Sequence, residues 1–167
     1  KALEYYNKAM ILNEQIGNKK AKAIYLTNSG TFYKDISNFP KALELYSEAL
    51  KIYEKLNEKR GMKTIYSNMG NINLLLSDYP TALLYSQKAL MISEQLADSN
   101  GMINPLSTIG NMYITLADNE KALEYFKKAL VVARQIGVSD TSHILNSMGT
   151  AYHNMAKYEE AIKYYLI

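Results

Sequence analysis

Two histidines, His143 and His153, are the residues of this chain best suited to metal or proton chemistry. They stand ten residues apart on one predicted helix, point in different directions, and cannot form the i, i+4 pair that grips zinc. Cysteine is absent, which removes disulfides and thiolate ligands. A structural zinc site wants four ligands, so no metal or cofactor is expected. The carboxylates Glu44, Glu48, Glu54, Glu58, Glu120 and Glu124 fall mainly on predicted second helices. Interleaved with Lys, they read as a solvated, ion-paired face and not as acid–base partners. No Gly-rich phosphate loop and no nucleophile elbow is legible, so no enzyme is expected. Hydrogen-bonding chemistry, in contrast, recurs. Two before and one after a repeated glycine stand Asn28 and Thr31, Asn68 and Asn71, Thr108 and Asn111, and Ser147 and Thr150; three before it stand Thr27, Ser67, Ser107 and Asn146. A carboxamide is donor and acceptor at once, so it can satisfy both polar groups of a peptide unit.

Residues that recur like this need elements that recur. Alanines fall at Ala2, Ala42, Ala82 and Ala122, a spacing of 40, and then at Ala161 after 39. Second alanines fall at Ala9, Ala49, Ala89 and Ala129, and glycines at Gly30, Gly70, Gly110 and Gly149. The missing residue is expected in the polar stretch "GVSDTSH", where a deletion costs least. Each unit reads as two helices. In the first full unit the apolar residues Tyr25, Leu26, Phe32, Tyr33 and Ile36 mark one helix over 20–36. Ala42, Leu43, Tyr46, Ala49, Leu50, Tyr53 and Leu56 mark a second over 39–56. Asn38, Asp78 and Asp118 are placed to cap second helices, with Pro40 and Pro80 in the first turn, where proline's missing N–H costs nothing. Polar stretches such as "NEKRG" and "ADSNG" read as the loops between units. The boundaries are 1–18 for an orphan second helix, 19–58, 59–98 and 99–138 for full repeats, and 139–167 for a partial one: nine helical segments in one array. Pro105 is expected to make its helix start late, capped by Asn104, because proline breaks the ladder and clashes with the preceding turn. A mid-helix glycine costs about 1 kcal/mol against alanine. Its recurrence points to close approach between paired helices, with Ala42 and Ala49 opposite Gly30.

The spacing resembles that of the tetratricopeptide repeat (TPR) family over essentially the whole chain. The family pattern is met by Leu26, Gly30, Tyr33, Ala42, Tyr46 and Ala49; by Leu106, Gly110, Tyr113, Ala122, Phe126 and Ala129; and by Leu145, Gly149, Tyr152, Ala161 and Tyr165. The second unit departs from it, with Asn73 and Ser86 where aromatics stand elsewhere, and is expected to pack differently. The 40-residue unit is similar to the long repeats of kinesin light chains, spindle-orientation adaptors and bacterial peptide-sensing regulators.

The resemblance implies an all-α, right-handed superhelical solenoid of antiparallel hairpins whose first helices line a concave groove. It further implies that Asn28, Thr31, Lys34, Asn68, Asn71, Thr108, Asn111, Asn146 and Thr150 face that groove and grip an extended protein or peptide segment. The groove offers Lys34 and, near a helix start, Lys63, too little positive charge for a carboxylate clamp. The formal net charge of +3 is mild and its charges alternate, so neither nucleic acid nor membrane is expected as a partner. The chain opens on a second-helix pattern and closes within one. It is therefore expected to be part of a larger signalling or scaffold protein. A spacer, or self-association through uncapped ends, is the alternative.

Overall fold

The computed structural model describes residues 18–166. The expected leading helix falls on residues outside that range. Eight α-helices follow one another: α1 (Lys19–Asp35), α2 (Phe39–Lys55), α3 (Lys59–Leu75), α4 (Tyr79–Gln95), α5 (Ser99–Thr115), α6 (Asn119–Gln135), α7 (Ser142–Asn154) and α8 (Tyr158–Tyr165). They form four hairpins of an all-α solenoid. Each helix touches its chain neighbours, and each first helix also touches the next first helix; among the described residues no more distant pair meets.

Caps and terminators explain the regularity. The side chains of Asn38, Asp78 and Asp118 accept from the backbone N–H three residues on, at 3.3, 3.3 and 3.2 Å. Asn18 and Asp98 do the same for first helices, at 3.0 and 2.9 Å. "NEKRG" and "ADSNG" therefore hold the first turns of α3 and α5, and the loops proper are only three residues long. The helices end in paired reverse bonds, as where Ser37 N–H reaches Lys34 O at 2.9 Å and Asn38 N–H reaches Tyr33 O at 2.8 Å. This motif puts one residue in the left-handed region. Glycine fills it once, at Gly137, while Ala97, Ala117 and Ala156 hold φ of 49°, 59° and 57°. Left-handed backbone costs a residue with a Cβ about 1–2 kcal/mol, and glycine gives back about 0.5–1 in unfolded-state entropy. Ala117→Gly is thus expected to stabilise by roughly 0.5–1 kcal/mol, read as a rise in melting temperature.

The core is a line of small residues closed by rings. Ala42, Ala49, Ala122 and Ala129 have no exposed surface, nor have Tyr46 and Phe126 between them. A Cβ added at Gly30, Gly110 or Gly149 would lie 2.7, 2.6 or 2.5 Å from the ring of Tyr46, Phe126 or Tyr165. The glycine therefore makes room for the second-helix aromatic, not chiefly for the alanines. The second hairpin solves the same contact differently. Ser86 replaces the ring, and a Cβ on Gly70 would find Ser86 Oγ at 2.8 Å and the Ser86 backbone N at 3.4 Å. Asn73, buried, folds its amide back onto Met69 O at 2.7 Å. The tyrosine stack moves as well: Tyr113 and Tyr152 stack on Tyr125 and Tyr164, whereas Tyr85 stacks on Tyr66.

Pro105 does not delay its helix. α5 runs unbroken from Ser99 with Pro105 inside it, and the cap is Asp98, not Asn104. Proline at 105 removes the N–H that would bond the carbonyl of Gly101. The buried Ser93 of α4 supplies the replacement: its hydroxyl lies 3.0 Å from Gly101 O and 2.9 Å from Ala89 O. Removing that hydroxyl by Ser93→Ala is expected to cost about 1–3 kcal/mol, since it strands a carbonyl. The penalty should shrink when Pro105→Ala restores the missing N–H, a coupling that a double-mutant melt cycle measures.

The lost turn lies instead in α7, which has 13 residues where the other first helices have 17. Val138 stands 40 residues after Asp98, 80 after Glu58 and 120 after Asn18. α7 begins only at Ser142, where Asp140 accepts from the Ser142 backbone N–H at 3.2 Å. The stretch "GVSDTSH" covers this connection, as expected.

Candidate functional site

α1, α3, α5 and α7 lie side by side, and a polar groove crosses their N-terminal halves. One depression of about 410 Å³ is lined by Lys63, Thr64, Ser67 and Asn68 of α3, by Asn100, Ile103 and Asn104 of α5, and by Asp98, Val138 and His143. A second, of about 320 Å³, is lined by Lys20, Ile24, Thr27 and Asn28 of α1 and by Glu58, Arg60, Gly61 and Thr64. Thr64 is common to both, so the two adjoin there. The larger one opens where α7 lacks its first turn.

The polar residues of the first helices divide by what they bond. Thr31 Oγ1 meets Tyr46 OH at 3.0 Å, and Thr150 Oγ1 accepts from Tyr165 OH at 3.4 Å. Both threonines also donate to the carbonyl one turn earlier, at 3.0 and 3.1 Å. Thr108 is buried and donates to Asn71 Oδ1 at 2.8 Å, tying α5 to α3. Lys34 sits 3.5 Å from Asp35. Asn28, Asn68, Asn111 and Asn146 make no side-chain hydrogen bond with any described residue; Asn28 and Asn146 are exposed, Asn68 and Asn111 half-buried. There is a rule in this. Threonine follows the glycine where the facing aromatic carries a hydroxyl, as in Tyr46 and Tyr165. Asparagine follows it where there is none, opposite Ser86 and Phe126. The threonines serve the hairpin, and Asn111 is left over.

Thr64, Asn104 and His143 also line the groove, and sequence reasoning missed them. Their signal was present, since they share one register with Ile24, a turn before the asparagines. Glu58, the one of the Lys-interleaved carboxylates outside the second helices, precedes α3 and pairs with Lys20 at 2.5 Å. One repeat on, Asp98 precedes α5 and pairs with Lys63. The Lys63 ammonium first, and then the Gly101 N–H, hold the Asp98 carboxyl below the usual carboxylate range. A folded-state pKa below the unfolded one stabilises above the unfolded value and is lost as pH falls through the folded one. This clasp between repeats should therefore weaken only in strong acid. Burial pushes the Tyr46 phenol up, against the opposing hydrogen bond from Thr31.

The groove offers amide and hydroxyl groups along its length, spaced by repeats, together with a few charges. Among the described residues no three His, Asp or Glu side chains converge to hold a metal ion, and no helix is long and apolar enough to cross a membrane. The opposite side of the array has a different character. Leu90, Met102, Leu106, Tyr125, Val131 and Val132 line an apolar depression there, beside Lys127 and Lys128.

Solved structures carry the same architecture. The chain superposes on BtubC (BKLC) from P. vanneervenii with a TM-score of 0.88 at 19% identity, over 98% of this chain and 68% of that one. Aspartyl phosphate phosphatase F from Bacillus subtilis gives 0.87 at 19% identity, over 98% of this chain and 43% of the other. A Rap protein complexed with competence and sporulation factor gives 0.84 at 22%, over 98% and 46%. At these identities the likeness is one of fold. No curated protein sequence matches the chain. The tetratricopeptide repeat model matches twice, over residues 61–135 and 101–166. Those two matches together span most of the described hairpins, in the register that the glycines and alanines set, and the chain belongs to the tetratricopeptide repeat family.

Proposed function

We propose that this chain is a protein-interaction module that holds an extended segment of a partner along the groove of its first helices. One observation carries the proposal: Asn28, Asn68 and Asn111 come from three successive first helices and have no hydrogen-bond partner among the described residues, and Asn28 and Asn68 line the two depressions of the groove. Their amides are open to a ligand, and a peptide main chain supplies a match for both of their groups, a donor and an acceptor in each unit. Asn104 and Thr64 extend the row, and Asn146 continues it onto α7. Thr31, Thr108, Thr150 and Asn71 hold the walls in place. The Rap complex with competence and sporulation factor supports the proposal by example, since a similar array there is seen with a bound factor. That Rap chain and phosphatase F are each more than twice this chain's length, which supports a role as the recognition part of a larger signalling or scaffold protein.

The test is selection of binders from a random peptide library, with recovery compared between the wild type and a variant carrying Asn68→Ala and Asn111→Ala. Peptides recovered by the wild type and lost by the variant support the groove. Peptides recovered equally by both place the binding surface elsewhere.

A further inference from the structure

The ion pairs between repeats leave one cation of the groove over. Lys20 and Arg60 are equivalent positions, 40 residues apart, and so are Glu58 and Asp98. In the first pair of repeats Lys20 bonds Glu58 at 2.5 Å. By the same geometry Arg60 would bond Asp98, but Lys63 has taken that carboxylate. The positions matching Lys63 are Ala23 and Ile103, so this substitute exists only in the middle of the array. Arg60 consequently has no carboxylate within 4.0 Å among the described residues. It lines the depression between α1 and α3, next to Thr27, Asn28 and Thr64. Lys20, Arg60 and Glu58 line this depression, and Lys63 and Asp98 the neighbouring one. After Lys20 and Lys63, the Arg60 charge helps to lower both carboxyls from beyond ion-pair distance, and of the five charges it is the one left without an ion pair.

We infer that Arg60 is a specificity-determining residue that takes an acidic side chain, Asp or Glu, of the bound segment. The inference rests on the groove being the peptide site proposed above. A guanidinium presents a planar fork of donors that a carboxylate fills with two parallel bonds. The amide of Asn28 and the hydroxyl of Thr64 stand beside it as further donors. A segment whose main chain runs over Asn28 and Asn68 passes directly above this place. The charge that recognises the ligand and the amides that hold its backbone thus sit on two neighbouring first helices, α1 and α3.

The experiment is a library of peptides with amidated C-termini, selected in parallel on the wild type, on Arg60→Gln and on Arg60→Glu, each checked for an unchanged melting temperature. Amidation removes the terminal carboxylate, so any acidic preference must come from side chains. The wild type should enrich Asp or Glu at one position. Arg60→Gln should lose that preference and bind the same peptides roughly tenfold more weakly at low salt, the equivalent of about 1.4 kcal/mol. Arg60→Glu should turn the preference toward Lys or Arg. Binders that depend on Asn68 and Asn111 but show no acidic position would overturn the role of Arg60 and leave the peptide groove standing. An acidic preference that survives Arg60→Glu would overturn it too. Recovery of no binder by any form would overturn both. A second library with free C-termini is selected beside the amidated one; enrichment there alone would make the ligand a chain end and the side-chain assignment wrong.

Discussion

Replacing Gly110 with Leu is expected to unfold the third hairpin and lower the melting temperature by on the order of 10 °C. A Cβ alone would stand 2.6 Å from the Phe126 ring, which has no exposed surface and cannot move aside. Overpacking of a closed core costs about 3 kcal/mol or more when several carbons are added. At about 2–4 °C per kcal/mol for a protein of this size, that gives the stated shift. In a linear array the damage spreads, because each hairpin draws stability from its neighbours. The sister glycine supplies the control. At Gly70 the new Cβ would meet the rotatable Oγ of Ser86 at 2.8 Å, with no ring in the way. Gly70→Ala also gains about 1 kcal/mol of helix propensity, so it should be close to neutral, whereas Gly110→Ala should destabilise clearly. Equal effects at the two glycines in thermal melts would mean that the aromatic ring is not what the glycine accommodates.

Replacing Asn28, Asn68 and Asn111 together with Ala is expected to weaken binding of a groove-selected peptide by at least about a hundredfold. Each lost amide contact costs about 1 kcal/mol where water replaces it, and up to about 3 where a peptide group is left buried and unpaired. Three such losses exceed two factors of ten at roughly 1.4 kcal/mol each. The fold should not suffer, because these amides bond nothing else in the described structure and alanine is the better helix former. Asn71 behaves differently. Its Oδ1 receives the hydroxyl of buried Thr108, so Asn71→Ala should cost about 1 kcal/mol of stability. Binding isotherms and melts on the triple variant and on Asn71→Ala separate the two roles. A triple variant that melts far below the parent would make these asparagines structural.

The hairpins were legible because repetition averages out local ambiguity. Ala42, Ala82 and Ala122 fix a register that one helix alone could not, and Asn38, Asp78 and Asp118 mark where second helices begin. Pro105 misled because its local rule is sound but a tertiary partner overrides it. Nothing near residue 105 in sequence reveals that Ser93, on another helix, would adopt the stranded carbonyl. The late start of α7 coincides with Val138, an apolar residue where Asn18, Glu58 and Asp98 stand in the same register. At the groove, the polar rows were legible as rows. Which members are free was not, since Thr31 and Thr150 are engaged by the tyrosine that faces them from the second helix, Asn71 by Thr108 of the next first helix, and Asn111 by neither. That facing residue is in the sequence, at Tyr46, Ser86, Phe126 and Tyr165. It acquires meaning once the Gly–aromatic contact is known. Arg60 was hidden for a similar reason: its freedom depends on Lys63 reaching Asp98 first.

The side-chain amide NMR signals of the asparagines are the most direct readout of whether the groove grips a main chain. The sample is the wild-type chain, titrated with a library-selected peptide. The side-chain NH₂ signals of Asn28, Asn68 and Asn111 should shift and become protected from solvent exchange on binding, while the signal of Asn73, whose amide is already bonded to Met69 O, stays in place. Unmoved groove asparagines, with shifts confined to Leu90, Met102 and Val131 on the opposite side, would show that the partner binds there and that the polar groove is not the site.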